Sequence, residues 1–503
     1  MKSTVYARSA NNFCMAGETK IHPQDREFWQ WVSSAAFANP FSEERYELDL
    51  KIAGEFKNEA ERAQFLTRAV SDRVRKLESQ GQATLRCYAG GEREVMRNVF
   101  LFEVFHRCYE KLDQVIADQT GAGDDPVRVG FASDALALLA RRGFSPAESL
   151  RFFGIFFQLR RAFFFIQRGL TGESRCMREF RRHLWDNVFT HDVRWYDRYL
   201  WNRMEDFSTL LLGETVTGKG TAAAAVGRSG FVPFDEKSGR FAESFTRSFI
   251  ALNLSQYPES LIESELFGHR KGAFTGAVDA HEGVFARCSP HGAIFLDEIG
   301  DVSTPVQIKL LQVLQERTFS PVGSHEKLRF RGRVIAATNQ SLDGLRDKKL
   351  FREDFFYRLC SDVIRVPPLR QRLQESKAEL DDLLEHLVKR MTGEPAPELV
   401  ALVQEVLDTC VEPDYGWPGN VRELEQAVRR ILLTRRYQTD HPAVAKSVRD
   451  ELVAGIDRGS LDADALLSGY CAILHQRHGT FEEVARRAKL DRRTVKRYLS
   501  QAT

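Results

Sequence analysis

Paired cysteines, a surplus of either charge and an uninterrupted apolar run are all missing from this chain. Its eight cysteines, Cys14, Cys87, Cys108, Cys176, Cys288, Cys360, Cys410 and Cys471, are scattered, with no C-x-x-C pair. That spacing argues against a zinc site and a disulfide framework, and fits a reducing cytosol. Basic and acidic residues number 72 and 70, so any nucleic-acid surface must be local. No basic stretch followed by an apolar one stands near the N-terminus, so no signal peptide is expected. The most membrane-like segment, residues 150–166, holds Phe152, Phe153, Phe156, Phe157, Phe163, Phe164 and Phe165 but is broken by Arg151, Arg160 and Arg161. One charge at mid-bilayer costs at least ~2.5 kcal/mol. The segment therefore reads as a core helix, with a docking or dimerisation face as the other reading. No membrane partner and a cytoplasmic location are expected.

What is present is ordinary globular composition, 43% hydrophobic and 28% charged in 503 residues, a length for about three domains. Residues 59–78, 95–117, 135–142 and 146–168 have helical apolar spacing, and residues 119–125 read as a loop. From Phe207 the pattern changes. Short apolar runs at 209–212, 249–254, 293–296, 333–337 and 363–366 alternate with helical stretches. Such alternation predicts a mainly parallel sheet with helices on both faces. Residues 375–390, 397–410 and 420–435 read as helices, 436–445 as a linker, and a helical unit runs from Leu461 onward.

Gly213-Glu214-Thr215-Val216-Thr217-Gly218-Lys219-Gly220-Thr221 lies between an apolar run and an Ala-rich stretch. Strand, Gly-rich loop and helix can wrap a phosphate in backbone N–H groups, with Lys219 reaching the β- and γ-phosphates. The motif lacks Ser or Thr directly after Lys219, so alone it could be a chance turn. A second element decides. The run 293–296 ends in Asp297 and Glu298. An Asp at a strand tip beside the loop holds Mg²⁺, and the adjacent Glu polarises the attacking water. Solvated acids capping a helix would explain either motif alone, but not both in this order.

With these motifs, residues 207–435 resemble the AAA+ ATPase domain of sigma-54-dependent activators, the enhancer-binding proteins. The most specific mark is Gly272-Ala273-Phe274-Thr275-Gly276-Ala277. In that family this loop contacts sigma-54 and moves with nucleotide state. Two glycines permit a mobile turn, and an exposed Phe274 at its tip is a typical hot spot. The resemblance makes Asn253 the residue that restrains Glu298 by a hydrogen bond. It makes Asn339 sensor I, and Arg352 and Arg358 the fingers that reach a neighbouring subunit's ATP. Without the wider pattern, surface pairing of those arginines with Glu353 or Asp354 would be preferred. Gly416-Trp417-Pro418-Gly419-Asn420-Val421-Arg422 matches sensor II, with Asn420 placed to cap the helix and Arg422 to reach the nucleotide. The family loop usually reads Gly-Glu-Ser-Gly-Thr-Gly-Lys-Glu. Thr215, Val216 and Gly220 depart from it, and a β-branched Val where Gly is usual restricts the backbone. Residues 227–247 look like an extra loop of unknown role.

Residues 480–499 read as helix, turn, helix. Thr480 and Glu483 make a capping-box pattern, and Val484, Ala488, Leu490, Val495 and Leu499 supply apolar contacts. Arg492, Arg493, Thr494, Lys496 and Arg497 would face DNA on a helix suited to the major groove. The unit resembles a Fis-type helix-turn-helix; a solvated basic hairpin is the plainer alternative. Residues 1–188 resemble no receiver domain and no nameable sensor.

The expected fold is multidomain. A helical regulatory region (1–188) precedes an α/β AAA+ P-loop domain (189–372) with a helical lid (373–436), a linker (437–460) and an all-α helix-turn-helix (461–503). The resemblance implies ATP and Mg²⁺ as cofactors. It implies sigma-54 RNA polymerase, double-stranded upstream DNA and further copies of the chain, from dimer to hexameric or heptameric ring, as partners, and an unknown signal at the N-terminal region. The alternatives are a DNA-binding regulator with weak or no turnover, and an AAA+ remodeller of another target.

Overall fold

The computed structural model describes residues 20–347, 351–412, 415–438, 448–457 and 459–501. Cys14 and residues 439–447 of the expected linker lie outside them, while the linker range 437–460 holds a helix, Val448–Asp457, that the sequence reading did not expect. The chain divides into two compact units: Met1–Pro395 with Gly419–Leu424, and Ala396–Pro418 with Glu425–Thr503. Among the described residues no helix is long and apolar enough to cross a membrane.

The first unit opens with seven principal helices: Pro23–Ala35, Glu43–Ala53, Glu59–Ser79, Gly90–Ala122, Ala132–Arg141, Pro146–Gly169 and Arg175–Phe189. The expected loop at 119–125 starts later, because the helix continues to Ala122. Gln119 explains the shift: its amide donates to the carbonyls of Gly123 (2.8 Å) and Asp125 (2.9 Å), and its Oε1 accepts from Val127 N. The Phe-rich helix Pro146–Gly169 is started by a complete capping box between Ser145 and Glu148.

Among the described residues nine strands follow: β1 (Thr209–Leu212), β2 (Phe234–Asp235), β3 (Arg240–Phe241), β4 (Phe249–Asn253), β5 (Ala293–Asp297), β6 (Thr318–Phe319), β7 (Leu328–Arg329), β8 (Arg333–Thr338) and β9 (Asp362–Arg365). Five make a parallel sheet in the order β4-β5-β8-β1-β9. Both faces are buried, as the apolar runs require. Alternate residues point to opposite sides. Leu210, Leu212, Leu252, Ile294, Leu296, Val334 and Ala336 pack on one side with residues of helices Glu259–Phe267, Thr304–Glu316 and Glu353–Leu359. Leu211, Phe295, Ile335, Ala337 and Ile364 pack on the other with the helix Lys219–Gly227 and with Pro146–Gly169 and Arg175–Phe189. The N-terminal helices are thus one cover layer of the sheet.

The extra segment at 227–247 has a structural role. Its β2–β3 hairpin inserts Phe234, Phe241 and Phe245 into the core of the N-terminal helices. Phe241 stacks on Phe157 with centroids 3.9 Å apart. Gly154 lets Phe231 approach; a Cβ there would lie 2.8 Å from that ring. The core reading of the Phe-rich helix therefore holds: Phe152, Phe153, Phe156 and Phe157 are all buried.

In the second unit, helices Ala463–His478, Phe481–Ala488 and Arg492–Gln501 enclose Cys471, Leu474, Val484, Val495 and Tyr498.

Candidate functional site

A parallel sheet presents the C-terminal ends of its strands on one edge, where ligands bind. Register puts Asn253 beside Asp297 on β4 and β5, and Leu212 beside Thr338 on β1 and β8. That edge therefore gathers Asn253, Asp297, Glu298, Asn339 and the loop 213–218.

The loop turns at Gly218, with φ +102°, straight into the helix beginning at Lys219. Lys219 is buried, and its ammonium donates to the carbonyls of Gly213 (2.8 Å) and Glu214 (2.9 Å). Burial pushes this amine below its ordinary range, against the pull of Glu298, Asp297 and Glu214. Val216 has φ +61°. A β-branched residue in the left-handed region is strained, which gives the glycine usual at this position a physical reason. Thr217 closes the loop by donating to Glu214 O. Thr221 turns its methyl toward the Phe-rich helix: a Cβ on Gly169 would lie 3.3 Å from it.

Asp297 accepts from Glu298 N at 3.1 Å, and Glu298 itself has φ +55°. Burial raises both carboxyl pKa values. Lys219 opposes this in both, and Asp297 adds to the rise at Glu298. Two adjacent carboxylates that are penalised as anions fit a bound cation. Gly220 supplies no hydroxyl after Lys219, so Asp297 would be the residue to hold a Mg²⁺ ion here, which would offset phosphate charge. The backbone N–H of Asn339 lies near enough to Glu298 to work against the rise in its pKa. The expected Asn253–Glu298 bond is not made. Asn253 Oδ1 instead accepts from Ser255 N (3.0 Å) and Oγ (2.7 Å), capping the short turn after β4.

Arg370, missed in the sequence, and Asn420, read there as a helix cap, brace the loop. Arg370 grips Glu214 through both guanidinium nitrogens at 2.8 and 2.5 Å. Asn420, fully buried with φ +51°, donates to Glu214 Oε2 (3.0 Å) and Thr215 O (3.3 Å) and accepts from Leu369 N (2.9 Å). Asn420 therefore ties the turn to the phosphate loop rather than capping its helix. The cap passes to Glu423, which accepts from Gly419 N at 2.8 Å. The available signal was Asn420 following two glycines around a Trp-Pro pair. Arg422 stands exposed in the first turn.

Arg352 and Arg358 do not join this edge within one chain. Arg352 pairs with Asp354 at 2.8 Å, each side chain 43% exposed, so it is free to exchange partners. Arg358 donates to Leu314 O.

The loop 272–277 is exposed except at Ala277 and half-buried Ala273. Gly272 (φ +79°) and Gly276 (φ +100°) form its hinges, and Gly272 N donates to Ala277 O at 2.8 Å. Its base is pinned where His269 and His281 exchange backbone hydrogen bonds. Phe274 is 38% exposed and leans edge-on against His269, centroids 4.9 Å apart.

On the helix Arg492–Gln501, Arg493, Lys496 and Arg497 are exposed. Thr494 is not free, because its hydroxyl donates to Asp491 Oδ2 at 2.5 Å as part of the helix start. Arg492 pairs with Glu482. The Thr480–Glu483 box is half formed. Thr480 Oγ1 accepts from Glu483 N, but the Glu483 carboxylate is taken by Arg486 and Arg487.

Residues 197–365 match the family described as the Sigma-54 interaction domain. The chain is 42% identical over 223 residues to the Nif-specific regulatory protein of Azotobacter vinelandii, covering 44% of this chain and 39% of that one. It is 35% identical over 302 residues to the transcriptional regulatory protein ZraR of Klebsiella oxytoca, covering 59% and 64%. It thus spans less than two thirds of these relatives' own length. A solved structure of NtrX from Brucella abortus in complex with ATP is 19% identical with a TM-score of 0.40, covering 74% of this chain and 80% of that one.

Proposed function

We propose that this protein, whose residues 197–365 match the Sigma-54 interaction domain, is a transcription activator that hydrolyses ATP between subunits of a ring to remodel sigma-54 RNA polymerase. The supporting observation is one sheet edge that gathers buried Lys219, the adjacent acids Asp297 and Glu298, and the backbone of Asn339.

Lys219 leaves the two loop carbonyls for the β- and γ-phosphates. Asp297 holds Mg²⁺, which neutralises phosphate charge. Glu298 accepts a proton from the attacking water, and burial, by raising its basicity, suits it to that task. Arg352 and Arg358 arrive from the neighbouring subunit to stabilise charge on the transferred phosphoryl group. Loss of the γ-phosphate shifts Lys219, Asn339 and Arg422. That shift swings the loop 272–277, whose Phe274 leaves His269 to bury in sigma-54. Arg493, Lys496 and Arg497 hold the chain on upstream DNA.

The test mixes two inactive variants. Lys219→Ala and Arg352→Ala should each abolish steady-state turnover, and their mixture should recover part of it, because mixed boundaries restore one intact site. No turnover by the wild type at any protein concentration would sink this reading. It would favour the second one, a DNA-binding regulator with weak or no turnover, to which the strained Val216 lends support.

A further inference from the structure

The N-terminal helices line a half-open cavity of about 110 Å³. That is less than the ~150 Å³ of an apolar cavity that holds benzene, so a ring seated here extends into the cleft of about 780 Å³ beside it. The cavity's walls include Phe37, Phe102, Phe105, Phe152, Phe156 and Trp185. Two of its polar groups have unused acceptor capacity. His106 Nδ1 lies 2.9 Å from Phe102 O, so that nitrogen carries the proton. Burial drives the pKa of His106 down to about 3, so the ring is neutral. Nε2 is then a lone-pair acceptor, without a partner among the described residues. Asp197 Oδ1 is buried with no hydrogen bond, although the Arg151 guanidinium sits 3.3 Å away. Buried acceptors are normally satisfied.

The cationic groups of the lining are already committed. Arg45 and Arg62 both bind Asp49, and Arg160 binds Asp113. An anion would gain little from them and would meet Asp197. A cation would meet three guanidinium groups. We propose that this cavity is a binding site for a small uncharged aromatic molecule carrying an N–H or O–H donor. The aromatic walls take its rings, and His106 Nε2 or Asp197 Oδ1 accepts its hydrogen bond. The outer cleft shares Ala63, His106, Tyr109, Arg160 and Phe163 with the cavity and gives the route in. The same Phe-rich helix carries the effect onward. Phe152 and Phe156 line the cavity, while Arg161 donates to the carbonyls of Arg228 (2.9 Å) and Gly230 (2.6 Å) at the end of the phosphate-loop helix.

The test titrates the full-length protein with indole by calorimetry, beside 1-methylindole, which lacks the donor, and indole-3-acetate, which adds an anion. Indole should bind saturably. 1-Methylindole and the His106→Phe variant should each weaken binding about 3- to 10-fold, the worth of one hydrogen bond. Ala63→Phe, which fills the cavity mouth, should abolish it. Absence of saturable indole binding to the wild type overturns the proposal. So does tighter binding of the acetate, or undiminished indole binding in both His106→Phe and Ala63→Phe. These readouts need no ATP turnover, so the proposal can fail while the ATPase reading stands.

Discussion

One face of the central sheet and its C-terminal edge are held by opposite means. On the face under the N-terminal helices, Leu211, Phe295, Ile335 and Ala337 are buried among Ile166, Leu184, Phe189 and the helix Lys219–Gly227. The polar groups there are cross-braces. Arg333 is fully desolvated, its pKa lowered by burial to about 10, and donates to Asn187 and Thr209. At the edge, charged groups are gathered without full neutralisation, and burial shifts Lys219, Asp297 and Glu298 toward their uncharged forms. The face has spent its interactions on itself; the edge has kept some for a ligand.

Substitutions can separate the two. Glu298→Gln should lower ATP turnover about 10²–10⁴-fold, the usual worth of a general base, while leaving the unfolding midpoint near that of the wild type. Loss of structure with that variant would break the contrast. Phe157→Ala should do the reverse. It removes a ring stacked on Phe241 and should cost ~3–5 kcal/mol of stability in denaturant titrations, with turnover per folded molecule preserved.

A smaller effect is expected at Val216→Gly. Left-handed backbone in a β-branched residue costs ~1–3 kcal/mol, and glycine returns ~0.5–1 kcal/mol of that as lost chain entropy. The variant should be more stable by about 1 kcal/mol and bind ATP more tightly, both measurable by thermal shift with and without nucleotide.

The smallest effect is pH dependence across the braced face. His183 Nε2 lies 3.1 Å from Asp362 Oδ1, joining the helix Arg175–Phe189 to β9. That hydrogen bond raises the His183 pKa above its ordinary value. A raised histidine stabilises fully below its unfolded pKa, and the gain is lost as pH rises through the folded one. The wild-type midpoint should therefore fall more between about pH 6 and about pH 8 than that of His183→Gln. Equal slopes would show that the pair contributes nothing.

The edge was legible in the sequence because its chemistry depends on residue type at fixed spacing. Lys219 could be named from the Gly-rich loop, Asp297 and Glu298 from a strand tip, and Asn339 from the family resemblance. Arg370 escaped, and Asn420 was given the wrong role, because both act on Glu214 from more than a hundred residues away, and nothing in their local sequence states that distance. Asn253 was placed correctly on the edge, but local competition from Ser255 decides its hydrogen bonds. The N-terminal helices were legible as helices only. Apolar spacing reports that a side is buried, not what lies against it. The hairpin at 234–241 was invisible for the same reason: its two-residue strands carry no period, and its phenylalanines find partners a separate stretch of chain away.

That packing limits how the chain can be inherited or rebuilt. An activator assembled from interchangeable parts can trade its sensor for another at the join. Here the helices Pro146–Gly169 and Arg175–Phe189 are the wall of the sheet's own interior. Cutting before β1 would strip that wall and leave Leu211, Phe295 and Ile335 facing water. The N-terminal helices and the sheet must therefore pass through evolution, and through any engineering of this protein, as a single part.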